Sequence, residues 1–328
     1  MPNACNCPAP ASGVAGVVMS SPAGSDDTKI FGFFIDQKNV LALTTVPAEY
    51  TSEDKTTYSA NRFVTDLATD SSVVGYLNNP SSLAVVPLGG LTAVYGVVKT
   101  TPCQTGGSIS LLSPVTMPLG VQCDTQVGSI AASSDPKHDI ARIYYRKPRS
   151  GTDSAPEQKI SEFSLAGPSA PFNFQVVYDG NDIDDKTYLA AYYDSNHQER
   201  HVLYQDTEAQ IKDVNLETGD RYDLDKALPG MDSAGLTAIY VPDNDKTYCY
   251  YVCQGKSHHE ATYLLYKATG DWDDLENKWK WSAGRKVTPI THVDKNTQLS
   301  VTSKSDMREN YIVFTDQNNV IACKHDSW

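Results

Sequence analysis

Six runs rich in aromatic and β-branched residues recur along this 328-residue chain, at positions 30–35, 92–97, 140–145, 201–205, 248–252 and 311–315. Their starts lie 62, 48, 61, 47 and 63 residues apart. Each follows a run of small apolar residues across a turn and precedes a third β-type run. A single small sheet with two apolar faces cannot bury both until neighbouring sheets flank it. Repeats of about 40–50 residues carrying several strands each therefore predict a β-propeller. The expected fold is all-β, a six-bladed β-propeller of mostly four-stranded antiparallel blades. Six such modules fill residues 1–328 as a single domain.

Within each module the first run suits the crowded inner strand, where small residues let the backbones approach. These runs fall at 13–19, 83–86, 129–133, 188–192, 236–240 and 299–302. Third strands are expected at 40–43, 109–112, 159–165, 211–216, 262–267 and 320–323. Outer fourth strands are expected at 62–68, 175–178 and 278–281, with the amino-terminal residues available to complete blade 6. The linking segments are rich in Asp, Asn, Gly, Pro and Lys, as hairpin loops require. The best helix signal is the acidic stretch 271–278.

Charge narrows the function. A net charge of −13 without a Lys/Arg cluster leaves nothing to neutralise phosphates, so nucleic acid is excluded as a partner. No stretch approaches the roughly 20 apolar residues of a spanning helix. The opening residues, Met1 to Cys7, lack the basic flank and apolar core of a secretory signal, so a cytoplasmic location is expected. Seven cysteines, at 5, 7, 103, 123, 249, 253 and 323, form an odd, scattered set and read as reduced thiols. None pairs with a second Cys/His couple at metal-site spacing, so no metal or cofactor is expected. The run 179–185, with four Asp residues, lacks the twelve-residue frame and terminal Glu of a calcium loop and reads as a turn. Gly-x-Ser-x-Gly, Walker, Rossmann and His-Glu-x-x-His patterns are absent, which removes the common hydrolase, kinase and dehydrogenase readings.

The segments Ala141-Arg142-Ile143-Tyr144-Tyr145 and Lys159-Ile160-Ser161-Glu162-Phe163 resemble the second and third strands of a blade in the fungal fucose-specific lectins. That resemblance implies a six-bladed propeller in which Arg142 and Glu162 hold sugar hydroxyls while an aromatic ring covers the sugar's C–H face. In the other five blades the Arg142 position aligns with Gly32, Thr92, His201, Tyr248 and Tyr311. The Glu162 position aligns with Ala42, Leu111, Asp213, Leu264 and Ala322. Blade 3 keeps both partners, as a residual sugar site or a cross-strand ion pair, and blade 4 offers His201 with Asp213. A multivalent lectin should repeat its site, because avidity depends on copies.

Loss of those sites leads to a second resemblance. The chain is similar in fold, size and intracellular character to fungal hetero-Diels-Alderases of tropolonic sesquiterpene pathways. This implies a cofactor-independent pericyclase that joins a tropolone quinone methide to a humulene-type sesquiterpene, so its partners would be apolar or tropolone-like small molecules. Such a reaction needs an acid at the departing hydroxyl and a cavity that orients two reactants. His258, His259 and His292 lie on expected loops, and histidine is the side-chain type best suited to proton transfer at neutral pH, which makes them the candidate acids. Tyr188, Tyr192 and Tyr240 on inner strands, with Arg146, are the candidate substrate-binding residues. The alternative remains a fucose-binding lectin with few surviving sites.

Overall fold

The computed structural model describes residues 14–19, 29–35, 41–47, 76–77, 82–99, 106–114, 116–124, 129–148, 156–166, 171–224, 235–254, 262–276, 278–295, 297–304, 308–317 and 321–328. Six antiparallel sheets follow one another in chain order. Blade 1 holds β1 (Val14–Met19), β2 (Lys29–Ile35) and β3 (Leu41–Pro47). Blade 2 holds β4 (Tyr76–Leu77), β5 (Leu83–Leu88), β6 (Leu91–Lys99), β7 (Gly106–Ser113) and β8 (Met117–Asp124). Blade 3 holds β9 (Ile130–Asp135), β10 (Ile140–Pro148), β11 (Pro156–Ala166) and β12 (Phe172–Asp179). Blade 4 holds β13 (Ala190–Asp194), β14 (Glu199–Gln205), β15 (Ile211–Asn215) and β16 (Arg221–Asp223). Blade 5 holds β17 (Leu236–Val241), β18 (Lys246–Gln254), β19 (Tyr263–Asp273), β20 (Lys278–Trp281) and β21 (Arg285–Lys286). Blade 6 holds β22 (Ser300–Lys304), β23 (Glu309–Thr315) and β24 (Ile321–Ser327).

The inner strands β1, β5, β9, β13, β17 and β22 each contact the next, and β22 returns to β1, so the ring closes. This is the six-bladed propeller that the repeat predicts. Alternation within the strands explains the packing. In an antiparallel blade, successive side chains point to opposite faces, and here both faces meet a neighbouring blade. Five apolar clusters accordingly fill the seams from blade 1/2 to blade 5/6. The seam between blades 4 and 5 is rich in large rings, with Tyr192, Tyr240, Tyr251, Trp279 and Trp281 all buried. Closing the β5–β6 hairpin in two residues requires positive φ, and Gly89 (60°) with Gly90 (71°) supply it.

Several local expectations change. The acidic stretch 271–278 is the end of β19 and its hairpin into β20, because Trp272, Trp279 and Trp281 alternate as strand residues against the blade 4 seam. Outer strands at 175–178 and 278–281 are present within β12 and β20. Positions 62–68 and the first 13 residues lie outside the described residues. Among the described residues no helix is long and apolar enough to cross a membrane.

Candidate functional site

Register fixes which residues share a blade face. Arg142 lies on β10 opposite Ser133 of β9, and Glu162 of β11 lies opposite Tyr144, two residues further along β10. Both therefore face the same side, toward blade 4. The same step in blade 4 joins His201 to Asp213 through Leu203, and in blade 1 it joins Gly32 to Ala42 through Phe34. In three blades the sequence alignment needs correction, because a one-residue slip in register flips a side chain to the other face. Leu111 shares its face with Ala93, not Thr92. Lys267, not Leu264, lies opposite Tyr250 and so pairs with Tyr248. In blade 6 the corresponding residue is Cys323, not Ala322.

Arg142 and Glu162 do not form the expected pair. The Glu162 carboxylate is buried and receives two bonds from Arg200 of blade 4, whose Nη1 lies 2.9 Å from Oε1 and 2.8 Å from Oε2, and a third from Gln175 Nε2 at 3.3 Å. Arg200 is locked further by Glu217, with Nη2 3.2 Å from Oε2. Arg142 lies over the Tyr193 ring at 5.8 Å, and its Nη1 is buried without a hydrogen-bond partner. The position that would grip a sugar in blade 3 is thus plugged from the next blade. Blade 5 repeats the device, since Lys267 pairs with Asp326 of blade 6 and Tyr250 Oη donates to the same carboxylate at 2.6 Å.

At the blade 4/5 boundary the equivalent carboxylate is different. Asp213 is fully buried and accepts from Tyr192 Oη (2.9 Å) and from Trp281 Nε1 of blade 5 (3.2 Å), and it lies 3.0 Å from His201 Nδ1. The Tyr192 ring stacks on His201 at 4.5 Å. Burial alone would lower the pKa of His201, but Asp213 on one side and Glu199 on the other outweigh it and raise the value to about 9. His201 is therefore an imidazolium at neutral pH. Burial first, and then the Asp213 carboxylate, push the Tyr192 hydroxyl well above its ordinary range.

Outside this buried set lies a groove of about 730 Å³ between β16 and β20, lined by residues 220–223 and 278–281 with Glu276. Its floor is the half-buried ring of Tyr222, with Trp279 and Trp281 buried beneath. Its rim carries Asp220, Arg221, Asp223, Glu276, Lys278 and Lys280, most of them held in ion pairs such as Lys212–Asp223 (2.8 Å), Lys280–Glu276 (3.0 Å) and Arg221–Asp182. Tyr222 stacks toward His201, with ring centroids 6.4 Å apart. By contrast the central channel narrows to a cavity of about 90 Å³ among residues 83–85, 130–132, 189–191, 236–238 and 298–301. Small-molecule sites typically span about 300–1,000 Å³, so the groove is in range and the channel is not.

The residues predicted from sequence are not brought together. Tyr188, Tyr192 and Tyr240 are buried in the blade 4/5 seam rather than lining the central channel; Tyr240 Oη donates to Asp245 at 2.5 Å. Arg146 is buried and structural. Its Nη1 donates to the carbonyls of Asp184 and Asp185, both at 3.0 Å, and burial lowers its pKa against the pull of nearby carboxylates. The Asp-rich run 179–185 is the loop that Arg146 holds. His292 is exposed, bridges Leu264 through its backbone, and lines neither the groove nor the channel. His258 and His259 lie outside the described residues. Sequence reasoning missed Tyr222, Trp279, Trp281 and Arg200. The alternation of Lys278-Trp279-Lys280-Trp281 was a readable signal for two aromatic rings on one strand face.

No protein-family profile matches this chain, and no curated protein matches it by sequence. Solved structures do. The fungal lectin of Aleuria aurantia, a six-bladed propeller described with a fucose recognition mode, superposes with a TM-score of 0.61 at 14% identity, covering 96% of this chain and 91% of the lectin. AofleA from Arthrobotrys oligospora gives 0.57 at 15% identity over 96% and 83%. The BP39L lectin of Burkholderia pseudomallei gives 0.54 at 12% identity over 96% and 81%. The fold is that of the fucose-lectin-like six-bladed propellers. At such identities the likeness concerns architecture, and function has to be argued from the site.

Proposed function

We propose that this chain binds one small organic molecule in the groove between blades 4 and 5, and that the ligand is a carbohydrate unit. The observation that carries the reading is the contrast between seams: Glu162 and Lys267 are plugged by the neighbouring blade, while the blade 4/5 seam keeps an open groove of about 730 Å³. Aromatic rings below and paired charges above suit a polyol, whose C–H face covers a ring while its hydroxyls bond to carboxylates and cations. The structural neighbours include a lectin determined with α-methyl-L-fucoside, which favours sugars as the ligand class. Because the Glu162 and Lys267 positions are plugged while this groove is open, one ligand per chain is the expected stoichiometry. A saccharide panel titrated against the protein tests this, with Tyr222→Ala expected to weaken binding at least about tenfold. Retention of full affinity by that variant would sink the proposal.

A second reading, the hetero-Diels-Alderase joining a tropolone quinone methide to a humulene-type sesquiterpene, draws on one observation. The half-buried Tyr222 ring on the groove floor offers a planar tropolone a stacking surface, while the His201 charge is neutralised by Asp213 and Glu199 and lends no field to an oxyanion. The six charged side chains on the rim favour a sugar over an apolar terpene. Incubating the purified protein with precursor and terpene, then measuring adduct yield and stereochemistry, separates the two; unchanged product would rule this reading out.

A further inference from the structure

Blades 3 and 4 share a hairpin motif in which an Asp at the end of the inner strand caps the turn and pairs with a His three residues on. In blade 3, Asp135 Oδ1 accepts the N–H groups of Lys137 (3.1 Å) and His138 (3.3 Å), and Oδ2 lies 2.7 Å from His138 Nδ1. In blade 4, Asp194 Oδ1 accepts from Asn196 (2.9 Å) and His197 (3.0 Å), and Oδ2 lies 2.7 Å from His197 Nδ1. Blade 4 then departs from its twin in two ways. Asp245, from the β17–β18 turn of blade 5, approaches so that one ligand atom each from Asp194, His197 and Asp245 lie within 4.8 Å of one another. The His197 ring is stacked on Trp272 at 4.0 Å, whereas the side chain of His138 is 53% exposed. As in the twin, the Asp is buried and, among the described residues, has no Lys or Arg ion-pair partner; Asp245 has none either, so blade 4 gathers two such carboxylates around one imidazole.

We propose that Asp194, His197 and Asp245 form a divalent metal site across the blade 4/5 boundary, with zinc as the best-suited ion. Two carboxylates facing one imidazole leave a local negative charge in a partly desolvated place, where an unpaired charge is costly. A divalent cation neutralises it. Imidazole and carboxylate donors suit zinc, whose bonds of about 2.0–2.2 Å need the three groups to close in modestly. On binding, His197 exchanges its bond to Asp194 for a bond to the metal, and water takes the remaining positions. Tyr240 and Asn196, which donate to Asp245 Oδ1 at 2.5 and 3.1 Å, orient that carboxylate from behind.

The test uses the full, tag-free chain stripped with a chelator and titrated with zinc by calorimetry, while tryptophan fluorescence is followed because His197 lies against Trp272. One zinc per chain with a saturable fluorescence change is expected. Asp245→Asn and His197→Gln should each weaken binding about tenfold or more. His138→Gln, in the twin hairpin, should leave it unchanged. Circular dichroism confirms that each variant is folded. Absence of stoichiometric binding by the parent, undiminished affinity in both folded blade 4 variants, or an equal loss in His138→Gln would overturn the site.

Discussion

The seams between blades 3 and 4 and between blades 4 and 5 are built on the same plan and end differently. Each offers a basic residue on its second strand, a carboxylate on its third, and an Asp-x-x-His hairpin at the same end. At the first seam Arg200 reaches back and neutralises Glu162. At the second the incoming groups are Trp279 and Trp281, which cover Asp213 with an indole N–H and leave an aromatic floor beneath a groove. Whether a repeated position stays open thus depends less on its own residues than on what the next blade delivers.

The largest expected effect tests the buried end of that contrast. Asp213→Ala strips the acceptor from Tyr192, Trp281 and a buried imidazolium, and should destabilise the fold by about 3–5 kcal/mol in urea unfolding. Glu162→Ala should cost less, about 2–3 kcal/mol, because Arg200 keeps Glu217. Equal losses at the two sites would erase the distinction between a plug with a spare partner and one without.

A pH series sharpens it further. The pKa of His201 is raised in the fold, so its contribution to stability is complete below about 6.5 and is lost as pH rises through about 9. The urea midpoint should fall across that window in the parent and stay flatter in His201→Gln. A decline of the same size in both would show that other groups titrate there. Smallest is the stability effect of Tyr222→Ala: this half-buried ring lines the groove, and its loss should cost about 1–2 kcal/mol, less than either buried carboxylate, while ligand affinity drops.

Much of the fold was legible because a two-residue alternation of apolar side chains, repeated six times, has few ways to bury itself. The face shared by Arg142 and Glu162 was legible too. The partner of Glu162 was not, since Arg200 is 38 residues away and in another blade, and no local pattern encodes which charge crosses a seam. Alignments failed in blades 2, 5 and 6, where one to three residues of slip in a short strand went unmarked by any turn signal. The inner tyrosines were misplaced for a related reason. Tyr192 and Tyr240 point along the seam rather than into the channel, where alanines and other small or aliphatic residues leave only a narrow bore.

Binding in the blade 4/5 groove, rather than at several sugar sites, is the central prediction. Calorimetric titration of a saccharide panel, scored for stoichiometry in the parent, Arg142→Ala and Tyr222→Ala, addresses it most directly. One ligand per chain, retained in Arg142→Ala and weakened in Tyr222→Ala, is the predicted result. Several ligands per chain, or binding lost in Arg142→Ala and kept in Tyr222→Ala, would contradict it.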